Sequence, residues 1–537
     1  MKKPELNPIS LKIDKLISRI DDGEIKIPAF QRGYVWKQNQ IIELLESLLR
    51  QYPIGSILLW EANEKEKLKS TRNIAGYRIP NRGDNWPVNY VLDGQQRLSS
   101  IYAVLSENIE QEGSNEKYNP NTDIFEIYYD FSRKCFLPKS EIGNGSGTTI
   151  LLRNIVNPIK LIDELSALDR KYHADAKTLS SIFLNYEVPV IQIKNRTREE
   201  VGLIFERINN TGTKLDILDL MTAWTWTEDF HLLEAIDDLL DELDEKSFGS
   251  IDHKLILQVV SGIIIGSTQT SNILRLTGDR VRDNWEGVKD AIRAAVDFLA
   301  TEIRCANVEL LPYHQQLIPL CRFFSKNKRQ TVDQIDILKR FFWKTAFSDR
   351  YSTGQTTAKL DADIEFIDKI LDYDFDDIKR YKVSVSTDDL IQTQFSKSNP
   401  ITRACLLLGA QHSPLDLTNA RLIDLDTALS SFNRKQYHHV FPNSFLSKKG
   451  IQKNKRFSVV NFCYLPADSN KMISSKAPSV YFSTIVPAAK KVEILKSNLL
   501  PDSEDIYIND DYDQFLEGRA ELLVCAISEL ADPGQAS

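Results

Sequence analysis

The sequence predicts a multidomain α+β protein. Three observations carry this. A chain of 537 residues exceeds the roughly 250 to 300 residues that one hydrophobic core usually holds. Strand-like apolar runs alternate with helical periodicity through about residue 225, and helical periodicity alone then dominates until a basic, histidine-bearing region appears beyond about residue 400. The expected parts are an α/β domain over 1–225, a helical middle over 226–400 that couples its neighbours, and a third domain over 401–537.

In chain order, EIKIPAF (24–30) reads as a strand, and Ile41, Leu44, Leu45, Leu48 and Leu49 form one face of a helix over about 38–50. PIGSILLW (53–60) returns as a strand, and the polar, Gly- and Pro-containing segment 61–87 reads as a hairpin or loop insertion. In YVLDGQQRLSSI (90–101), Val91 and Leu92 end a buried strand, Asp93-Gly94 is a turn, and Leu98, Ile101 and Leu105 predict a helix from about Gln95. IFEIYYD (124–130) and YEVPVIQI (186–193) are further strands, and GNGSGTT (143–149) is a turn. HLLEAIDDLLDEL (231–243), VKDAIRAAVDFLATEI (288–303) and DQIDILKRFFWKTAF (333–347) carry apolar residues three and four apart and are helices. The acidic stretch 361–381 reads as solvated surface, and a helix near 512–530 closes the chain.

Composition is that of a globular protein, 42% hydrophobic and 26% charged. The start has no apolar signal core, and the most apolar stretch, LILQVVSGIIIG (255–266), is short and interrupted by Gln258, so the expectation is a cytoplasmic protein with no membrane partner. Six cysteines without a CxxC pair encode neither a disulfide framework nor a zinc knuckle. A net charge of −8 argues against a chain-wide nucleic-acid surface. Charge is local, however: Thr427 to Ala467 contains no Asp or Glu but holds Arg434, Lys435, Lys448, Lys449, Lys453, Lys455 and Arg456. Lys448, Lys449, Lys453, Lys455 and Arg456 are candidate DNA contacts, and a solvated basic face explains the same residues equally well.

Within that region YHHVFPNSFL (437–446) is followed by VVNFCYLPADSNKMISSKAPSVYF (459–482), with Asn461 and Asn470 nine residues apart. A histidine pair alone is more often structural. The whole pattern resembles the HNH, or His-Me finger, nuclease motif, whose fold is a ββα-metal unit. The resemblance implies His439 as general base, His438 and Asn470 as ligands of a divalent metal, and Asn461 as the residue that holds the loop. The chemistry agrees, because phosphodiester hydrolysis needs a base for water, a cation on the phosphate oxygens and basic groups on the flanking backbone. An imidazole ligand leaves the metal open between magnesium and manganese. Lys476 and Arg519 are secondary candidates for phosphate or structural contacts.

The polar cluster at 93–97 lies where a strand hands over to a helix amino terminus, which favours an anion. IPAFQRGYVW (27–36), PIGSILLW, VLDGQQRLSSI and FERINNTGTKLDILDLMTA (205–223) together resemble the ParB-like amino-terminal domain of GmrSD-type, modification-dependent (type IV) restriction enzymes. That resemblance implies a DGQQR turn that handles a nucleoside triphosphate, with possible hydrolysis of it, and couples it to DNA cleavage. In this role Arg97 makes forked bonds to phosphate, Gln95 and Gln96 contact phosphate or orient water, Asp93 holds a metal or activates water, and Gly94 admits close backbone approach. Arg32 is a second nucleotide-binding candidate. Without the resemblance, a helix cap at Asp93 and an ion pair from Arg97 to it are the favoured readings. No Walker A sequence is present, so nucleotide use rests on the resemblance.

Two functions follow. The first is a nucleotide-responsive, metal-dependent HNH endonuclease that cuts modified double-stranded foreign DNA in phage defence; a homodimer is one possible assembly. The alternative is a ParB-like, nucleotide-switched DNA-binding regulator without nuclease activity. RNA is a further substrate for the same chemistry.

Overall fold

The computed structural model describes residues 5–533 apart from 30–32, 69, 72, 75–76, 79–85, 108–109, 112–123, 143–146, 210–216, 227–229, 328 and 426–436. The candidate Arg32, the turn at Asn210 to Asp216, and the basic residues Arg434 and Lys435 lie outside the described residues. The chain divides into two compact units, Met1–Glu228 and Asp229–Ser537. The helical middle and the histidine region therefore share one unit.

The first unit is built on a mixed six-stranded sheet. Its strands are β1 (Glu5–Lys12), β2 (Ile25–Pro28), β3 (Ile57–Ala62), β4 (Ser70–Thr71), β5 (Val88–Asp93) and β9 (Glu187–Lys194), in the order β1-β9-β3-β5-β2-β4. β9 runs parallel to β3, and β5 parallel to β2, while β1/β9 and β3/β5 are antiparallel. Side chains alternate between faces along a strand, so Ile57, Leu59, Val91, Val188 and Val190 enter one core with α1 (Ile13–Asp21), α2 (Gln38–Leu49), α3 (Gln95–Leu105) and α4 (His173–Asn185). A second, three-stranded sheet of β6 (Ile127–Asp130), β7 (Cys135–Pro138) and β8 (Thr149–Leu151) joins that core through Ile127, Phe136 and Ile150. PIGS (53–56), expected within a strand, is a loop ahead of β3 because Gly55 takes a φ of 80°.

The second unit is mainly helical. α5 (Leu232–Asp244), α6 (His253–Ile264), α7 (Gly278–Thr301), α8 (Leu317–Lys326), α9 (Val332–Ala346), α10 (Thr356–Leu371) and α11 (Pro400–Gln411) form its first part. α8 lies against α6, α7 and α10 and buries Leu317, Ile318, Leu320, Cys321 and Phe323. The most apolar stretch of the sequence is thus α6, an interior helix capped by Asp252, which accepts from Lys254 N at 2.9 Å. Among the described residues no helix is long and apolar enough to cross a membrane. α7 starts about ten residues before its apolar periodicity is obvious, because Thr277 caps it.

The acidic stretch 361–381 is only partly solvated surface. Its first half belongs to α10, whose Ile364, Phe366, Ile367 and Ile370 are buried. Asp363 is fully buried and accepts from Arg350 Nε at 2.9 Å and from the Tyr351 and Tyr381 hydroxyls at 2.8 Å each. The charge density of the stretch conceals an apolar stripe at helical spacing and one interior carboxylate that is hydrogen-bonded on all sides.

Candidate functional site

The histidine region folds as a hairpin followed by a helix. β10 (Tyr437–His439) pairs antiparallel with β11 (Phe462–Tyr464), in the register Tyr437↔Tyr464, His438↔Cys463, His439↔Phe462. Between them lie two short helices, α12 (Asn443–Lys448) and α13 (Lys453–Arg456), and β11 leads directly into α14 (Ala467–Ile473), which carries Asn470. His439 ends its strand because Pro442 follows within three residues.

Asn461 is fully buried and ties this unit together. Its Oδ1 accepts from Phe441 N at 2.9 Å, and its Nδ2 donates to Phe441 O at 3.0 Å and to Arg456 O at 3.2 Å. Its own carbonyl accepts from Val440 N at 2.8 Å. One side chain therefore fixes the strand end beyond His439 relative to the end of α13. Bracing comes from outside the hairpin as well. The Tyr481 hydroxyl donates to Val440 O at 2.7 Å, the Tyr512 hydroxyl to Lys455 O at 2.8 Å, and Phe395 stacks on Phe462 at 3.9 Å. Phe441 packs on Phe515 of α15 (Tyr512–Ala531) at 4.7 Å.

Arg519, a candidate for phosphate or structural contact, is buried on α15. It donates to the carbonyls of Val460 (2.6 Å), the residue before Asn461, Leu499 (3.3 Å) and Asn498 (3.3 Å). Lys476 donates to Met472 O at 2.6 Å.

The His439 ring lies against Phe462 (4.3 Å between centroids) and edge-on to Phe457 (5.2 Å). Its Nε2 is buried with no hydrogen-bond partner among the described residues. Burial, with smaller contributions from His438 and Arg456, lowers its pKa to about 4, so the imidazole is neutral at physiological pH. Two more polar atoms nearby in sequence are buried and have no hydrogen-bond partner among the described residues, Asn443 Oδ1 and Arg456 Nε. Sequence reasoning did not single out Asn443 or Phe457; the only signal was their place beside the HHVFP motif and at the end of the basic run.

The Asn470 side chain makes no hydrogen bond to a described residue, and its main chain is an ordinary part of α14. Among the described residues no group of three or more His, Cys, Asp or Glu could hold a metal. The ligands that the motif resemblance implies are the His438 imidazole and the Asn470 amide oxygen. This set suits a cation that draws its remaining ligands from phosphate and water, as magnesium and manganese do. The basic residues Lys448, Lys449, Lys453 and Lys455 are exposed. Lys449 lies over the Phe445 ring at 5.0 Å, and Lys455 pairs with Asp513 at 3.0 Å.

In the first unit the DGQQR turn joins β5 to α3. Gly94, at a φ of 84°, is the residue before the helix, and no side chain caps it. Asp93 is half-exposed and lies 3.6 Å from Arg97 Nη2. The Arg97 guanidinium donates to Ile54 O at 2.9 Å and Ser56 O at 3.1 Å. Gly55 permits this, since a Cβ there would sit 2.1 Å from Arg97 Nη1. Gln96 accepts from Val35 N at 3.0 Å, and Tyr34 bonds Ser100 at 2.6 Å. Gln95 opens α3. The first turn of α3 thus holds two loops, 33–35 and 54–56. Tyr34 and Trp36 pack on the core.

Residues 13–226 match the model of the GmrSD restriction endonuclease N-terminal domain. That match covers nearly all of the amino-terminal unit and none of the second unit. An uncharacterized protein of Methanocaldococcus jannaschii is 25% identical, over 98% of this chain and all of that one. Mixed α and β structure, expected from the sequence, is what both units contain.

Proposed function

We propose that this chain is a metal-dependent HNH-type endonuclease that cuts modified foreign DNA, with a GmrSD amino-terminal unit that responds to a nucleoside triphosphate. The hairpin-helix carrying His439, Asn461 and Asn470 is the observation that carries the reading. His439, neutral and at a strand end, takes the proton of the attacking water at an imidazole nitrogen. Asn461 sets the position of that strand end. His438 and Asn470 would hold the divalent cation, which supplies charge neutralisation at the phosphate when bound. The exposed lysines of α12 and α13 hold the flanking backbone.

In the amino-terminal unit, Asp93, Gly94, Gln95, Gln96 and Arg97, with Arg32, remain the proposed nucleotide site. The uncapped start of α3 supports an anion there. Arg97 acts in that site by shaping the 54–56 loop, whose carbonyls engage its guanidinium.

The test incubates wild type and His439→Ala with unmodified plasmid, glucosylated or methylated phage DNA, and phosphorothioate DNA. Each is run with magnesium or manganese, with and without each nucleoside triphosphate. Cutting that requires metal and His439 is expected, on one class of modified DNA. Metal-dependent cutting by His439→Ala would refute the assigned base. Nucleotide-dependent DNA binding without cutting would favour the regulatory reading, with RNA as the next substrate.

A further inference from the structure

Arg456 differs from the lysines around it. Lys448, Lys449, Lys453 and Lys455 are exposed, and Lys455 has a carboxylate partner in Asp513. Arg456 is half-buried at the end of α13, with Nε wholly enclosed and without a hydrogen-bond partner among the described residues. No carboxylate among the described residues forms an ion pair with it. Its main chain is nevertheless held firmly: its carbonyl accepts from Asn461 Nδ2 at 3.2 Å, and the same Nδ2 donates to Phe441 O at 3.0 Å, two residues past His439. The next residue, Phe457, lies edge-on to the His439 ring at 5.2 Å. A partly desolvated guanidinium with no counter-ion among the described residues is unfavourable by itself. Fixing one beside a histidine is rational where an anion arrives during function.

We propose that Arg456 is a catalytic residue whose guanidinium binds a nonbridging oxygen of the scissile phosphate and stabilises the charge that develops there. The proposal rests on the endonuclease reading above. In the hydrolysis a water oxygen forms the new P–O bond, and its proton passes to His439. The bridging P–O bond breaks, and the leaving oxygen takes a proton from solvent. Arg456 neither gives nor takes a proton; its planar donors match the phosphate oxygens.

The experiment uses the full chain as wild type, Arg456→Ala, Arg456→Lys and Arg456→Met, on the DNA that the wild type cuts. Single-turnover cleavage at saturating protein is compared with equilibrium binding of the same duplex in calcium, which suppresses cutting. Arg456→Ala is expected to slow cleavage about 10²- to 10³-fold while weakening binding less than about fivefold, and Arg456→Lys to recover about tenfold or less because a point charge lacks the fork. Arg456→Met is expected to melt at or above the wild-type temperature, since an uncompensated charge has been removed. Cleavage by Arg456→Ala within about threefold of wild type would overturn the proposal and leave the endonuclease reading standing. So would loss of binding with an unchanged rate at saturation, which makes Arg456 a backbone contact, or a lowered melting temperature of Arg456→Met that accounts for the lost activity. Absence of cutting by the wild type on every DNA would overturn both.

Discussion

Replacing Asn461 by alanine should destabilise the carboxy-terminal unit by about 3 kcal/mol. The side chain is fully buried and makes three hydrogen bonds, at 2.9, 3.0 and 3.2 Å. Each net bond contributes about 1 kcal/mol, and a buried group left unpaired adds a penalty of about 1 to 3 kcal/mol. Phe441 is itself fully buried, so water cannot readily replace the bonds to its N–H and carbonyl. Arg456 O, nearer the surface, recovers more of its loss from solvent. At about 2 °C per kcal/mol for a unit of this size, the melting transition of that unit should fall by about 6 °C. Asn461→Asp sharpens the test. It retains the acceptor for Phe441 N–H but places a second oxygen against the carbonyls of Phe441 and Arg456, so it should be at least as damaging as alanine at neutral pH. Differential scanning calorimetry of the full chain reads both variants. A shift below about 1 °C for alanine, or a milder effect for aspartate, would refute the argument that this amide holds the hairpin.

In the amino-terminal unit, Gly55→Ala should cost about 1 to 2 kcal/mol, from the left-handed backbone and the clash with Arg97, and Arg97→Ala about 2 kcal/mol. Chemical denaturation should find the double variant less damaged than the sum, because removing Arg97 relieves the clash; strict additivity would show that the two do not touch. Arg519→Lys should lose about 3 kcal/mol, since one ammonium cannot reach three carbonyls from different segments, and a wild-type-like urea midpoint would contradict it. His439 has a folded pKa of about 4 against the usual 6.5. The unfolded chain therefore binds the proton more readily, and the associated stability is present above pH 6.5 and lost as pH falls towards 4. The loss amounts to about 3 kcal/mol. The stability difference between wild type and His439→Gln, followed by urea denaturation between pH 7 and 4, should shrink accordingly; a constant difference would show that the ring is not neutral in the folded state.

Long elements with a single periodicity were legible in the sequence. The helices at 38–49, 95–105 and 512–531 and the strand at 187–194 lie where their apolar spacing places them, because one buried face is enough to specify each. The spacing of His438, His439, Asn461 and Asn470 was legible too, as local chain order translates directly into hairpin and helix. What could not be read were partners chosen by distant segments. Asp363 sits in an acidic run that looks like solvent-facing surface, yet its three partners, Arg350, Tyr351 and Tyr381, make it interior. Arg97 reads as a phosphate fork, yet its donors are engaged by carbonyls about forty residues earlier, in a loop whose shape depends on Gly55. Arg519 and Arg456 illustrate the same limit in opposite directions. Both are arginines of the carboxy-terminal unit, but one is buried with three carbonyl partners and the other is half-buried with an Nε that has no partner among the described residues. Sequence supplies the charge of such a residue, and the fold decides whether that charge is already occupied; only an unoccupied one is available for a substrate.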